Sequence, residues 1–192
     1  LSIGAATLAR QDDDILNSIT LLAAQVDFTE PGEIKRFLGS SQMAFLNSLM
    51  WTDGYLEASS MGDAFKALRA EDMILKPAVD RYYLGQDTQP NALMAWNADG
   101  TRMPANMHSR YLQQLFMENQ LASCKYIVDE KPIALQDIRT PLFVVGTTTD
   151  HVAPWKSVYK IQGLTRSEVT FLLTNVKNCF YMFGISLNCI LL

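Results

Sequence analysis

Two carboxylates stand where acid–base chemistry is expected, beyond the ends of apolar runs. Asp27 ends the first run, and Asp150 lies four residues beyond Gly146, which ends the second. In open α/β sheets, reacting groups collect beyond the carboxyl ends of the strands. His151 adjoins Asp150, and a carboxylate near an imidazole suggests a triad that activates a nucleophile. Adjacent side chains diverge along an extended backbone, which favours a structural role for His151. Spacing alone leaves Asp150 open between a reacting group and a loop carboxylate without a role.

The other reactive residue types form no recognisable site in the sequence. His108 lies ahead of a predicted helix, which favours a solvent-facing or capping histidine over a catalytic one. The three cysteines are better explained as small hydrophobic residues than as reactive thiolates; they are Cys124, Cys179 and Cys189. The sequence contains no nucleophile elbow of the form G-x-S-x-G or G-x-C-x-G, no phosphate-binding glycine loop and no metal-ligand spacing. We therefore expect no cofactor and no metal.

Three apolar runs predict the strands that position these residues. Each run is nearly continuously apolar, which is typical of parallel strands covered by helices on both faces. The segment 154–164 predicts a helix, with Pro154 in its first turn and Gly163 near its end. Strand, helix and strand at this spacing form a parallel crossover, so the fold class is α/β. The predicted strands span residues 18–27, 141–146 and 168–174.

A long insertion separates the first two predicted strands. Its methionines and aromatic residues recur at helical spacing, which predicts short helices that form a cap, with core packing as the usual reason for such residues. A longer helix over 107–121 and a hairpin over 125–135 follow. The predicted breaks in the cap are Gly54, Pro77, Gly85 and Pro90. The predicted organisation is a core helix and strand (1–32), the cap (33–121), the C-terminal part of the core (122–174) and an atypical apolar tail (175–192).

Charge and composition exclude several classes of partner. Sixteen basic and twenty acidic side chains give a net charge of −4 over 192 residues, without the basic surface that nucleic acid or an anionic membrane requires. The apolar stretch 180–192 is shorter than the roughly 20 residues of a membrane span. Three cysteines without a disulfide pattern favour the reducing cytoplasm. Three strands make an incomplete sheet, so the apolar edge of 18–27 predicts further strands upstream.

Four linked motifs then identify a family. They are DFTEPG at 27–32, ALMAWNADGTRMP at 92–104, MHSRYL at 107–112 and DHVAPW at 150–155. Together they resemble polyhydroxyalkanoate synthases, and among these the class I type, over residues 1–174. The resemblance implies an incomplete α/β-hydrolase core with an inserted helical cap. It also implies acyltransferase chemistry, in which a polyester grows from (R)-3-hydroxyacyl-CoA and CoA is released.

The resemblance places only part of that family's active site in this chain. It implies that Asp150 is the catalytic aspartate, which assists an imidazole or the incoming hydroxyl group. The nucleophilic cysteine would lie a few residues before Leu1, and Asn178 occupies the position expected for the histidine. An asparagine amide is not a base at neutral pH, so we predict that this chain is an inactive fragment. The resemblance stops at about residue 175, as a shifted reading frame would produce.

Two other functions remain open at the level of sequence. One is a non-catalytic paralogue that binds acyl chains, polyester granules or an intact synthase. The other is an esterase that shares the core fold, since fold alone does not fix the reaction. For the intact family, the resemblance implies the acyl-CoA and the growing polyester as partners, and it is compatible with a homodimer through the cap. It implies a location in the cytoplasm or at the granule surface, with no nucleic acid and no membrane span.

Overall fold

The computed structural model describes residues 1–12, 15–68, 70–86, 95 and 99–175. These form two compact units, one of residues 39–109 and one of residues 1–38 with the described part of 110–192. The cap boundaries at 33 and 121 stay a prediction. The α-helices are α1 (Ser2–Arg10), α2 (Ser40–Trp51), α3 (Ala58–Leu68), α4 (Lys76–Leu84), α5 (Ala105–Tyr111), α6 (Trp155–Tyr159) and α7 (Ile161–Leu164). The strands are β1 (Ile19–Leu22), β2 (Tyr55–Leu56), β3 (Met103–Pro104), β4 (Ile127–Val128), β5 (Lys131–Pro132), β6 (Leu142–Thr147) and β7 (Val169–Thr174).

The three predicted core strands form one parallel sheet. Its order is β1–β6–β7, with Ile19 opposite Leu142 and Leu142 opposite Val169. This confirms the α/β class. Strand β1 is shorter than the predicted 18–27, because Ala23 takes a left-handed conformation (φ 47°) and turns the chain out of the ladder.

The two faces of this sheet differ in burial. Leu21 and Val144 lie on the buried face, at 1% and 0% exposure. On the opposite face, Phe143 is 40% and Leu172 is 46% exposed. Val145, on this same face, is only 7% exposed. The prediction that both faces are covered therefore holds only in part for the described residues, because Phe143 and Leu172 meet solvent.

Helix boundaries differ from prediction at two places. The segment 154–164 forms two short helices, α6 and α7, joined at Lys160, and Pro154 caps the first of them. The predicted helix 107–121 begins earlier, as α5, and continues as a π-helix over Leu112–Met117. A π-turn widens the helix by one residue per turn, which 3.6-residue periodicity does not reveal.

The unit of residues 39–109 carries helices α2 to α4. Gly54 and Gly85 both have positive φ, 75° and 64°, and follow helix ends as predicted. The predicted break at Pro77 is wrong, since the chain stays helical there: a π-helix over Glu71–Leu75 runs directly into α4, whose first turn contains Pro77. Pro90 lies outside the described residues. The sequence did not predict the short antiparallel pair of β2 with β3.

A small hairpin of β4 and β5 confirms the prediction over 125–135. Asp129 and Glu130 turn the chain with positive φ of 49° and 61°, the geometry of a tight hairpin turn. Arg10, the last residue of α1, donates hydrogen bonds from Nη1 to the carbonyls of Val128 at 3.0 Å and Lys131 at 2.9 Å. The first helix is thereby attached to the hairpin. Among the described residues, no helix has the length and apolar character needed to cross a bilayer.

Candidate functional site

Two loops meet beyond the carboxyl ends of β1 and β6. Because these strands are parallel neighbours, the segments that follow them, 23–33 and 148–154, lie at one edge of the sheet. The backbone N–H of Glu33 donates to the carbonyl of His151 at 2.8 Å. The hydroxyl of Ser157, in α6, donates to the carbonyl of Asp27. These contacts join the two loops.

Asp150 lies in the second loop with its carboxylate almost fully buried, at 5% exposure. Its Oδ1 accepts hydrogen bonds from the backbone N–H groups of Val152 at 2.9 Å and Ala153 at 2.7 Å. Its Oδ2 is buried and has no hydrogen-bond partner among the residues that the structure describes. The same is true of the hydroxyl of Thr147, the last residue of β6. A buried carboxylate oxygen without a donor is costly, so Oδ2 is suited to accept a hydrogen bond from an imidazole or a hydroxyl group.

Asp27, the other sequence-predicted carboxylate, has its hydrogen bonds within the protein. Its Oδ1 accepts from the Thr29 backbone N–H at 2.8 Å, the Thr29 hydroxyl at 2.6 Å and the Asn119 amide at 3.3 Å. Burial raises the pKa of Asp27, but the bonds from Thr29, the positive charge of Lys160 and the Asn119 amide outweigh it and hold that pKa below its usual value. These contacts indicate that Asp27 orders the first loop.

Acid is expected to weaken this arrangement. A carboxylate whose pKa is lowered by folding stabilises the protein above its unfolded pKa, and that stability is lost as the pH falls through the folded pKa. Lys160 Nζ lies 3.7 Å from Asp27 Oδ1 and 3.3 Å from Glu30 Oε2. We expect Lys160→Met to lower the free energy of unfolding by about 0.5–1 kcal/mol at neutral pH and by less in acid.

Urea unfolding at neutral pH and at about pH 2, well below the usual carboxylate pKa, measures this effect. Lys156→Met is the matched control, because Lys156 is an exposed lysine on the adjoining helix α6 without an ion pair among the described residues. Equal losses for Lys160→Met at both pH values would contradict the assignment.

The two histidines have different environments. The His151 side chain makes no hydrogen bond to Asp150, whose Oδ1 is bound to backbone and whose Oδ2 has no partner. This agrees with the structural role predicted for His151. His108 is 5% exposed, and desolvation by burial lowers its pKa. The prediction of a solvent-facing or capping histidine is wrong, because helix α5 begins three residues earlier and His108 lies within it.

Among the residues that the structure describes, the remaining candidates from the sequence add no side chain to this site. Cys124 is a free, half-buried thiol in a turn, with φ 57°. Asn178, Cys179 and Cys189 lie outside the described residues. Within residues 1–12, 15–68, 70–86, 95 and 99–175, no group of three or more histidine, cysteine or acidic side chains could hold a metal ion.

Three residues of the site were not identified from the sequence. Gly32 has φ 70°, and a Cβ at this position would lie 2.4 Å from the carbonyl oxygen of His151. The Pro31–Gly32 pair is a turn signal that would have drawn attention to it. Asn119 and Ser157 bind the first loop from distant parts of the chain, and no local pattern marks residues that act through tertiary hydrogen bonds.

Comparison with known proteins extends this picture. The family model for the alpha/beta hydrolase fold matches residues 2–179. Over 173 residues, the chain is 40% identical to the poly(3-hydroxyalkanoate) polymerase subunit PhaC of Rhizobium meliloti (strain 1021), covering 88% of this chain and 28% of that protein. It is 34% identical to the poly(3-hydroxyalkanoate) polymerase of Methylorubrum extorquens, covering 90% of this chain and 29% of that protein. The resemblance stated from the motifs is confirmed, and the chain spans little more than a quarter of these curated relatives.

Proposed function

The chain belongs to the alpha/beta hydrolase fold family, and we propose that it is the part of a polyhydroxyalkanoate synthase that carries the catalytic aspartate. In the proposed reaction, an acyltransferase extends a polyester from (R)-3-hydroxyacyl-CoA and releases CoA. The similarity to poly(3-hydroxyalkanoate) polymerases supports this substrate class.

The geometry of Asp150 is the observation that carries the proposal. Oδ1 is bound by two backbone amides, which orients the carboxylate, while Oδ2 is buried and lacks a donor. A carboxylate held in this way can orient an imidazole and stabilise the imidazolium that forms when the imidazole takes a proton. Asp150 would thereby assist the base that activates a thiol or the incoming hydroxyl group.

This chain by itself is proposed to be catalytically inactive. Its sequence has neither a nucleophile elbow nor, at the expected position, a histidine, since Asn178 stands there. A carboxylate without a nucleophile has nothing to acylate, so chain growth cannot begin. The activity would require a cysteine and a histidine from outside the 192 residues.

Release of CoA from a short-chain (R)-3-hydroxyacyl-CoA tests this proposal. The purified 192-residue chain is expected to release none, measured as free thiol. A hybrid in which residues 1–174 replace the matching segment of the Rhizobium meliloti polymerase is expected to release CoA, because that polymerase supplies the remaining segments. CoA release by the isolated chain would refute its inactivity, and a folded but inactive hybrid would refute the proposal that residues 1–174 carry a working catalytic aspartate.

Partners and location follow from the same proposal. The acyl-CoA and the growing polyester would be the ligands, and the protein would act in the cytoplasm or at the granule surface. Helix α2 exposes Phe45, Leu49 and Trp51 at 63%, 50% and 88%. Phe45 and Leu49 are four residues apart and so share one helix face. An exposed apolar face of this kind supports the proposed homodimer through the cap.

A further inference from the structure

A polar cleft lies at the opposite edge of the sheet from Asp150. It has a volume of about 300 Å³ and is lined by residues that precede β1, β6 and β7. Arg10 and Asp12 come from the end of α1 and the turn after it, Asp137 and Arg139 precede β6, and Arg166 precedes β7. Since β6 has six residues, this cleft lies about 20 Å from the loop of Asp150. It is therefore separate from the candidate active site.

The charges of this cleft are not neutralised by one another. Among the described residues, three guanidinium groups and two carboxylates line it. Within the described part of the chain, Arg139 and Arg166 make no ion pair and no side-chain hydrogen bond, although Asp12 and Asp137 line the same cleft. Arg10 is fixed in place by the carbonyls of the hairpin. Both kinds of charge therefore remain available to a ligand.

We propose that this cleft binds inorganic hydrogen phosphate, which keeps an O–H group at neutral pH. The guanidinium groups of Arg139 and Arg166 donate to the phosphate oxygens, an interaction for which the planar fork of arginine is well suited. The carboxylates of Asp12 and Asp137 only accept hydrogen bonds when ionised. The remaining O–H of hydrogen phosphate supplies the donor that a carboxylate needs.

Comparing sulfate binding with phosphate binding shows whether the cleft selects hydrogen phosphate or attracts any anion. Sulfate has the same tetrahedral shape as phosphate, but it carries no proton at neutral pH. It therefore offers only acceptor oxygens to Asp12 and Asp137, and the carboxylates repel it. A cleft with arginines alone would bind both ions, whereas this cleft is expected to prefer hydrogen phosphate.

Isothermal titration of the full 192-residue chain with inorganic phosphate, sulfate and adenosine monophosphate tests the proposal. We expect saturable phosphate binding at least about tenfold tighter than sulfate binding, since a carboxylate facing an unprotonated oxyanion loses a charged hydrogen bond. Arg139→Gln and Arg166→Gln are each expected to weaken phosphate binding about tenfold or more. Arg110→Gln removes an exposed arginine outside the cleft and is expected to leave binding unchanged.

Each result supports or overturns the proposal. The phosphate of adenosine monophosphate has largely lost its proton at neutral pH, so we expect it to bind more weakly than inorganic phosphate, and tighter binding of adenosine monophosphate would contradict the role given to the O–H group. Circular dichroism checks that the variants fold, and Arg139→Lys, which keeps the charge, gives a second measure if Arg139→Gln unfolds. No saturable phosphate binding, equal binding of sulfate, or equal effects of Arg110→Gln and Arg139→Gln would overturn it. None of these outcomes depends on polymerase activity.

Discussion

Asp150→Asn in the hybrid polymerase is expected to lower the rate of CoA release roughly 10³- to 10⁴-fold, the loss typical of a triad carboxylate. In the wild-type residue, Oδ2 is an acceptor that has no partner among the described residues. Asparagine places an NH₂ donor there, which cannot accept the imidazole N–H. The imidazole then loses its orientation and the negative charge that stabilises its protonated form.

We expect the Asp150→Asn variant to fold, so its loss of activity reports on catalysis and not on unfolding. The asparagine Oδ1 can still accept the N–H groups of Val152 and Ala153, so the loop keeps both hydrogen bonds. Asp150→Ala, by contrast, leaves these two buried donors unpaired and is expected to cost about 2–4 kcal/mol of folding free energy. Urea unfolding of both variants separates the structural role of Oδ1 from the catalytic role of Oδ2.

Asp27→Asn in the same hybrid is the matched control. The Asp27 carboxylate accepts hydrogen bonds from Thr29 and Asn119 and orders its loop, so its loss is expected to change CoA release only severalfold. A folded Asp150→Asn hybrid with wild-type activity would contradict the catalytic assignment. So would equal losses for the two substitutions.

Gly32→Ala is expected to lower the free energy of unfolding of the 192-residue chain by about 1.5–3.5 kcal/mol, from two separate causes. At φ 70° an L-residue costs about 1–2 kcal/mol. The added Cβ would also lie 2.4 Å from the His151 carbonyl oxygen and 2.8 Å from that of Val152. The two loops must then move apart, which breaks the hydrogen bond from Glu33 to His151 at a further cost of about 0.5–1.5 kcal/mol.

Two other glycines separate these causes in urea unfolding measurements. Gly85 has a similar φ of 64° but open space around its Cβ position, so Gly85→Ala should show the backbone cost alone. Gly163 lies in helix α7 with no neighbour within 4 Å, so Gly163→Ala should stabilise the helix by roughly 0.5–1 kcal/mol. A Gly32→Ala loss no larger than that of Gly85→Ala would show that the loops do not depend on their close approach.

The sequence predicted those parts of the fold that local pattern determines. Apolar runs placed the three parallel strands, and glycines at positive φ placed two helix ends. The length of β1 was wrong because an alanine, not a glycine or proline, turns the chain at residue 23. The π-helix over Leu112–Met117 escaped prediction because the apolar period does not distinguish it from an α-helix.

The sequence predicted the position of the candidate site but not the hydrogen bonds that hold its loops in place. The parallel order of the strands predicts that Asp27 and Asp150 lie at one edge of the sheet. Only the hydrogen bonds in the structure show that Asp27 orders a loop, whereas Asp150 has a carboxylate oxygen with no partner among the described residues. His108 was misjudged because burial depends on residues distant in sequence. Asn119 and Ser157 lie about 90 and 130 residues from the loop they bind, beyond any local signal.

The contact of Arg10 with the hairpin bears on the order of assembly. Arg10 and Val128 are 118 positions apart, and the whole 39–109 unit lies in the chain between them. Closing so long a loop costs entropy that no local interaction offsets at the start of folding. The guanidinium can therefore bridge helix and hairpin only at a late step, after both have formed separately. One cation then joins the first chain segment of the sheet-bearing unit to its second.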